Sequence, residues 1–359
     1  MSLKLLDINS EKSGHVIMAN KSKKDKIINN ISKAPLVYKN EEIKEKLKEK
    51  WLGDLIHQDG PQASVDSTIR DRIGRVKVAI FETNAILEDV RMQVVGGIMG
   101  AMDIWELALV PLLLNNCDTW QNISEENLEE LENLQNLFFR VILQVPASCP
   151  KPALCWETAT LKMKCRIWKK KLNLYKYIQK MDEKALAHKI FNEQHRMNFP
   201  GLVQECKEIA KELNLISELE NKEIGIEQFK SILKNKIKLM NEKLLRQEMK
   251  GMSKLENCIK ETYETKEYFK SLKVDDIRIK FRLKTGMIDA KFNFKNKTDY
   301  KAELWLCDSC ESAIENQSHL MWCPAYQHLR EGKELSSDND LVNYVRKVLQ
   351  IRQELKLRR

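Results

Sequence analysis

The chain has 359 residues and 43% of them are hydrophobic, enough for a sizeable core and for two or three domains. Charged residues at 31%, aromatics at 7%, and only 12 Gly and 8 Pro argue against a sandwich, a barrel or a doubly wound sheet and favour long, solvated helices. The surplus of 61 Lys+Arg over 52 Asp+Glu gives +9, a mild lean toward nucleic acid or an anionic surface.

The first residues lack the apolar region of a secretory signal. The most apolar stretch, Ile104 to Leu114, is interrupted by Glu106 and Pro111 and is too short to span a membrane. Six of the 9 Cys (Cys117, Cys149, Cys155, Cys165, Cys206 and Cys258) are scattered singly, which suits reduced thiols rather than a disulfide framework. The expected location is nuclear or cytoplasmic, not secreted, with no membrane partner.

Residues 1–60 read as a small mixed α/β segment, with a short strand at His15–Asn20 and an apolar stretch at Trp51–Ile56 broken by Gly53. After the punctuation Asp59–Gln62, a helix is expected from Ser64 as N-cap, with Asp66 in its first turn and Val65, Ile69, Ile73, Val76 and Ile80 at helical spacing. A second helix covers Ile98–Leu114. A third runs from Ser124 through Leu128, Leu131, Leu134, Phe138 and Ile142 and stops before Pro146. Val145–Ala153 holds three of the 8 prolines and is the clearest boundary.

Leu161–Lys180 follows, with Lys162, Lys164, Arg166, Lys169, Lys170, Lys171, Lys176 and Lys180 unopposed by any acid and Ile167, Trp168, Leu172, Leu174, Tyr175 and Ile178 interleaved. Two readings stand side by side. One is a phosphate-facing helix with Trp168, Tyr175 or Tyr177 available to stack on bases; the other is an amphipathic helix with a Lys-rich solvated face and its aromatics in the core. Helix continues to about Leu272, broken near Asn198–Gly201 and near Gly225. Ile277, Ile279, Phe281 and Leu283 then alternate with Arg278, Lys280, Arg282 and Lys284, as in a strand or a basic helix face. The tail from Asp340 is helical.

The sharpest motif is Cys307-x2-Cys310-x8-His319-x3-Cys323. A Cys-x2-Cys knuckle sets two thiolates on one side of a tight turn, and His319 and Cys323, four apart, share one face of a helix and close the site. Four protein ligands leave no open position, so the zinc expected here is structural. His328, beyond Pro324, is an inferior fourth ligand. The module offers few core candidates: Trp305, Ile314, Leu320 and Trp322. Val274-Asp275-Asp276 has the look of a paired-aspartate metal site, but without a further upstream Asp and a hairpin it reads as a turn or helix cap. No Gly-rich phosphate loop or nucleophile elbow is present.

In this order the pieces resemble the carboxy-terminal part of reverse transcriptases (RNA-directed DNA polymerases) from LINE-type, non-LTR retrotransposons. Leu5–Ser13 is similar to the segment just after the catalytic palm aspartates. Lys50-Trp51-Leu52-Gly53 is similar to the aromatic-Leu-Gly strand of the primer grip, which makes Trp51, Leu52 and Gly53 primer-grip-like residues. The helices with Leu113–Trp120 and Leu134–Arg140 resemble the thumb, and the Cys/His cluster with Cys323-Pro324-Ala325-Tyr326 resembles the terminal zinc knuckle.

The resemblance implies a mainly α protein. Its parts are a palm remnant (1–60), a helical thumb (61–146), a basic helical connector (147–272), a zinc-knuckle module (273–330) and a C-terminal helix (331–359). The family's catalytic Asp-Asp hairpin belongs upstream of Lys12-Ser13, so the chain alone is expected to lack polymerase activity. The implied function is nucleic-acid binding, to RNA or an RNA–DNA duplex, through Lys162, Lys164, Arg166, Lys169, Lys170, Lys171, Lys176, Arg278, Lys280 and Arg282. The alternative is a structural or interaction protein, or a non-functional transposon remnant, that packs on a partner polymerase half.

Overall fold

A computed structural model describes residues 37–38, 41–42, 46–89, 94–198, 200–291, 305–330, 335 and 337–358. The expected strand at His15–Asn20 and the segment Leu5–Ser13 lie outside them. The protein is mainly helical, with 68% of it in helix. The scarcity of Gly and Pro has the consequence foreseen from composition: little chain is left for turns.

At the N-terminal side stand two antiparallel hairpins, β1 (Val37–Tyr38) with β2 (Glu41–Glu42) and β3 (Lys48–Trp51) with β4 (Asp54–His57). The second pairs Lys48 with His57 and Trp51 with Asp54, turning through Leu52 and Gly53, both at positive φ. Helix α1 (Pro61–Glu88) begins four residues earlier than a Ser64 N-cap implies. Pro61 suits a first helical position because its missing N–H has no partner there to lose. Ser64 is therefore not the N-cap: its hydroxyl donates to the Gly60 carbonyl at 2.8 Å and accepts from the His57 amide at 2.8 Å, tying β4 to the first turn.

Helix α2 (Gly97–Ile104) widens into a π turn at Trp105–Leu109 before the short α3 (Val110–Leu113). Pro111 cannot donate to the Leu107 carbonyl four residues back, and the widened turn sits around that carbonyl. Trp105, fully buried in this turn, stacks on Phe138 with ring centroids 4.7 Å apart. Helix α4 (Glu125–Leu143) is capped as expected, the Ser124 hydroxyl accepting from the Asn127 amide at 3.1 Å. Then come α5 (Lys151–Glu157), α6 (Met163–Gln179), α7 (Leu186–Met197), α8 (Leu202–Glu212), α9 (Ile216–Glu220) and α10 (Ile226–Met249). They are followed by α11 (Glu256–Lys260), α12 (Tyr268–Ser271), α13 (Val274–Lys284), α14 (Gln317–Trp322) and α15 (Asp338–Arg358). The alternation at 277–284 is thus helical. Asp275 and Asp276 sit in the first turn of α13, where carboxylates favour the helix dipole, and they pair with Arg278 and Arg346.

The chain forms two units, each assembled from three stretches. One takes the described residues up to Lys77 with Val110–Glu132 and Met163–Ile237; the other takes Val78–Leu109, Asn133–Lys162 and the described residues from Lys238. Helix α6 is the buried centre of the first, with Cys165, Leu172 and Tyr175 fully covered. The second unit holds a cluster of Ala153, Trp156, Leu245, Met249, Leu255 and Tyr263, and another built around the cysteines. Among the described residues, no helix is long and apolar enough to cross a membrane.

Candidate metal centre and the basic residues

The four motif residues converge. Leu306 bridges Ile314 in a narrow hairpin, and the Cys307 amide donates to the Ala313 carbonyl at 2.9 Å. The chain turns through Asp308–Cys310 and reverses at Glu311, with φ 52°. Asn316 then caps α14, its side-chain oxygen accepting from the His319 amide at 2.8 Å, which orients the helix that carries the imidazole. The ligand atoms of Cys307, Cys310, His319 and Cys323 all lie within 4.8 Å of one another.

Two of their six separations come close to the edges of a zinc-centred tetrahedron. With Zn–S near 2.3 Å and Zn–N near 2.0–2.1 Å, tetrahedral coordination demands S–S edges of about 3.8 Å and S–N edges of about 3.5 Å. The Cys307 and Cys323 sulfurs are 3.8 Å apart, and the Cys310 sulfur lies 3.3 Å from His319 Nε2. Three thiols and one imidazole are able to hold a metal ion such as zinc. Burial raises the Cys310 thiol, but hydrogen bonds from Ser312, Cys323 and Cys307 together outweigh it, and the pKa falls to about 6. Burial pushes Cys323 up to about 12. Hydrogen bonds to the Cys310 sulfur favour its thiolate form, and a dication would supply the charge to deprotonate the others.

Two details differ from the sequence reading. Cys323 is not on the helix with His319: α14 ends at Trp322, and Cys323 has an extended ψ of 131°. That extension swings its sulfur to the Cys307 side of the cluster, while His319 closes on Cys310. The module's core is also not the one expected. Leu320 is buried, but Ile314 is 39% and Trp322 73% exposed. In their place Cys307, Leu320, Cys323 and Tyr326 share one core with Leu283, Ile288, Ala290, Tyr344, Val345 and Val348, from α13, its following loop and α15.

Polar contacts bind the same elements. Tyr344 donates from its hydroxyl to the Leu320 carbonyl at 3.1 Å. Arg330 donates to the Met321 and Cys323 carbonyls at 2.7 and 3.2 Å. Glu315, fully buried, forms a two-pronged ion pair with Arg352 of α15, itself 2% exposed, and accepts from the Lys291 amide at 3.0 Å. Sequence reasoning missed these supports. The available signal was the stripe Leu341, Val345, Val348 and Arg352 along α15, which ends in a charge only a buried acid accommodates.

The basic residues are not gathered on one open face. Lys171 and Lys176 are fully buried and Arg278 is 2% exposed, which corrects the expectation that these three meet a phosphate backbone. Lys171 pairs with Glu205 and donates to the Trp120 carbonyl. Lys176 donates to the Leu219 and Asn221 carbonyls at 3.2 and 2.6 Å, satisfying the C-terminal end of α9, and burial lowers its pKa. Arg278 binds the Ile142 carbonyl at 3.0 Å and Glu88 at 2.8 Å.

Of the others, Lys162 pairs with Glu248, Lys170 donates to the Leu114 carbonyl, Lys280 pairs with Asp338, and Arg282 donates to the Gln144 carbonyl. Lys164 lies over the Trp168 ring, and Arg166 is half-buried. Half-buried Lys169 has no hydrogen bond or ion pair among the described residues. Of the aromatics proposed to stack, Trp168 and Tyr175 are buried, while Tyr177 is 54% exposed.

The Leu-Gly turn between β3 and β4 is clamped rather than free. Buried Arg72 donates to the Gly53 carbonyl at 3.0 Å, pairs with Asp54 at 2.6 Å and reaches the Asn115 carbonyl at 2.5 Å. Asn116 donates to the Leu52 carbonyl at 3.0 Å. Gly53, at φ 92°, is a position where an added Cβ would also meet the Asn115 side chain at 3.2 Å. Leu52 is left 72% exposed at the tip.

No protein-family model matches the sequence, and neither a curated protein nor a solved structure matches the chain.

Proposed function

We propose that the chain is a nucleic-acid-binding protein whose carboxy-terminal module is held by a structural zinc ion, as the non-catalytic rear part of a LINE-type reverse transcriptase would be. The convergence of Cys307, Cys310, His319 and Cys323 carries this reading. Four protein donors fill a tetrahedron, leaving no site for water or substrate, so the metal orders the backbone rather than performing chemistry. The net charge of +9 and the order of the motifs support nucleic acid as the ligand. With Lys171, Lys176 and Arg278 buried, the phosphate contacts fall to half-buried groups such as Lys164, Lys169 and Lys170.

Fluorescence anisotropy of the zinc-loaded chain with RNA, across a salt series, tests the reading. Binding that weakens steeply with salt supports it, at roughly 0.7–0.9 log units per phosphate contact. An absence of binding to any RNA or DNA at low salt refutes it.

A second reading, an interaction protein that packs on a polymerase partner, draws on one observation. Val78 and Phe81, three apart on one face of α1, are 60% and 58% exposed. Co-purification of a polymerase chain that is lost on Phe81→Asp would favour it.

A further inference from the structure

A chain that buries Trp105, Trp120, Trp156 and Trp168 leaves Trp322 73% exposed. On helix α14 His319 turns to the thiols and Leu320 enters the core, while Trp322, the last residue, stays outside both and is exposed. The next residue is the metal-site Cys323, so the indole stands on backbone that a bound metal would hold still.

Arg330 lies beside it, the guanidinium carbon 5.6 Å from the ring centroid, within cation–π reach. That guanidinium is pinned by the Met321 and Cys323 carbonyls and by the Tyr344 hydroxyl at 3.1 Å. Among the described residues no carboxylate pairs with it, so its charge is not cancelled there. Ser318, one turn earlier on the same helix face, is exposed and polar. The indole thus has a polar neighbour one turn away on its own helix face, not a further apolar one.

We infer that Trp322, with Arg330 behind it, is a stacking site for an unpaired nucleobase, so that the module prefers single-stranded to duplex nucleic acid. This rests on the nucleic-acid-binding reading and adds to it the form of the ligand. A splayed base offers a π-face to the indole, and the phosphate next to it is attracted by the fixed cation; in a duplex the base faces are already stacked on one another. Because the guanidinium is held in advance by its three hydrogen bonds, little of its conformational freedom is lost on binding.

The test uses the full zinc-loaded chain with single-stranded oligouridine and with a blunt RNA duplex of equal length. Trp322→Ala should weaken single-strand binding roughly tenfold and leave duplex binding unchanged, while Trp322→Phe keeps most of the affinity. Iodouracil-substituted single-stranded RNA should photo-crosslink to Trp322 in the unaltered protein, a readout that needs no variant to fold. Binding of both RNA forms with Trp322→Ala equal to wild type, or a crosslink that maps elsewhere, overturns the stacking site and leaves the parent reading standing. Binding of neither form by the wild type removes both. Unchanged RNA affinity with self-association lost in Trp322→Ala assigns the indole to a protein contact and also overturns the inference.

Discussion

The Cys/His module was the sharpest pattern in the sequence and the basic stretch of α6 a less specific one, and they resolve in opposite ways. In the module, residues scattered over 307–323 come together at one point, with the Cys307 and Cys323 sulfurs 3.8 Å apart. In α6, residues already adjacent in sequence disperse: Lys171 turns to Glu205 and the Trp120 carbonyl, Lys176 to the end of α9, and Lys170 to Leu114. The difference lies in what satisfies each side chain. Three thiols and an imidazole with their ligand atoms all within 4.8 Å of one another suit one common partner, a metal ion. An ammonium on a flexible stem is satisfied by a carboxylate, a carbonyl, water or a phosphate alike. A cysteine pattern therefore announces its geometry, and a lysine pattern does not.

The largest effect is expected at the metal. Cys323→Ser should take zinc from about one equivalent per chain to near none, checked by metal analysis of the purified protein. Structural zinc contributes on the order of 10 kcal/mol in small modules, but this one shares its core with α13 and α15. Part of its order should therefore survive. Hydrogen exchange should rise across 305–330 and along α15 while α6 stays protected; uniform exchange throughout would break the contrast between the two regions.

Next come the buried lysines. Lys171→Ala leaves a half-buried Glu205 and the Trp120 carbonyl without their partner and should destabilise by about 1–3 kcal/mol, with Lys171→Met costing less because it fills the space. Lys176→Ala leaves the Leu219 and Asn221 carbonyls unbonded and should cost about 1–3 kcal/mol. Urea denaturation measures both. Losses below half a kcal/mol would return these residues to a solvated face.

A pH effect follows from the buried thiols. Burial, first among the causes, pushes Cys117 and Cys258 up to about 12 and Cys149 up to about 11, from 9.0 when solvated. Raised folded values mean that the unfolded chain loses these protons first. Stability should be complete below about pH 8 and fall as pH rises through 9 toward 12. Denaturation midpoints at neutral and alkaline pH check this, and Cys258→Ala should flatten the decline; a midpoint that rises with pH would contradict the sign.

The smallest effect is reserved for Lys169. Lys169→Ala should change stability by no more than about 0.5 kcal/mol, yet reduce the salt slope of RNA binding by about one phosphate contact. An unchanged slope would leave α6 with no role beyond packing.

Most of the helical framework was legible. Ser124 before Glu125 and Pro146 after Leu143 mark α4 at both ends, and the ligand set was readable by spacing alone. The misreadings share a cause. Ser64 looked like a cap because the value of Pro61 as a first helical residue is local and easily overlooked. His319 and Cys323 looked like one helical face because four-residue spacing is silent about where a helix stops. Trp322 looked like core because hydrophobicity does not say which face the metal and Leu320 have already taken. The Glu315–Arg352 pair was overlooked because its partners are 37 residues apart and the stripe that points Arg352 inward does not name the acid it meets.

The central claim is that Cys307, Cys310, His319 and Cys323 form a closed structural metal centre. X-ray absorption at the zinc edge of the full chain tests it most directly. The expected signal is three sulfurs near 2.3 Å and one nitrogen near 2.0–2.1 Å, with no water in the shell. A shell dominated by oxygen, fewer than three sulfurs, or a chain that takes up no zinc when offered it would contradict the claim.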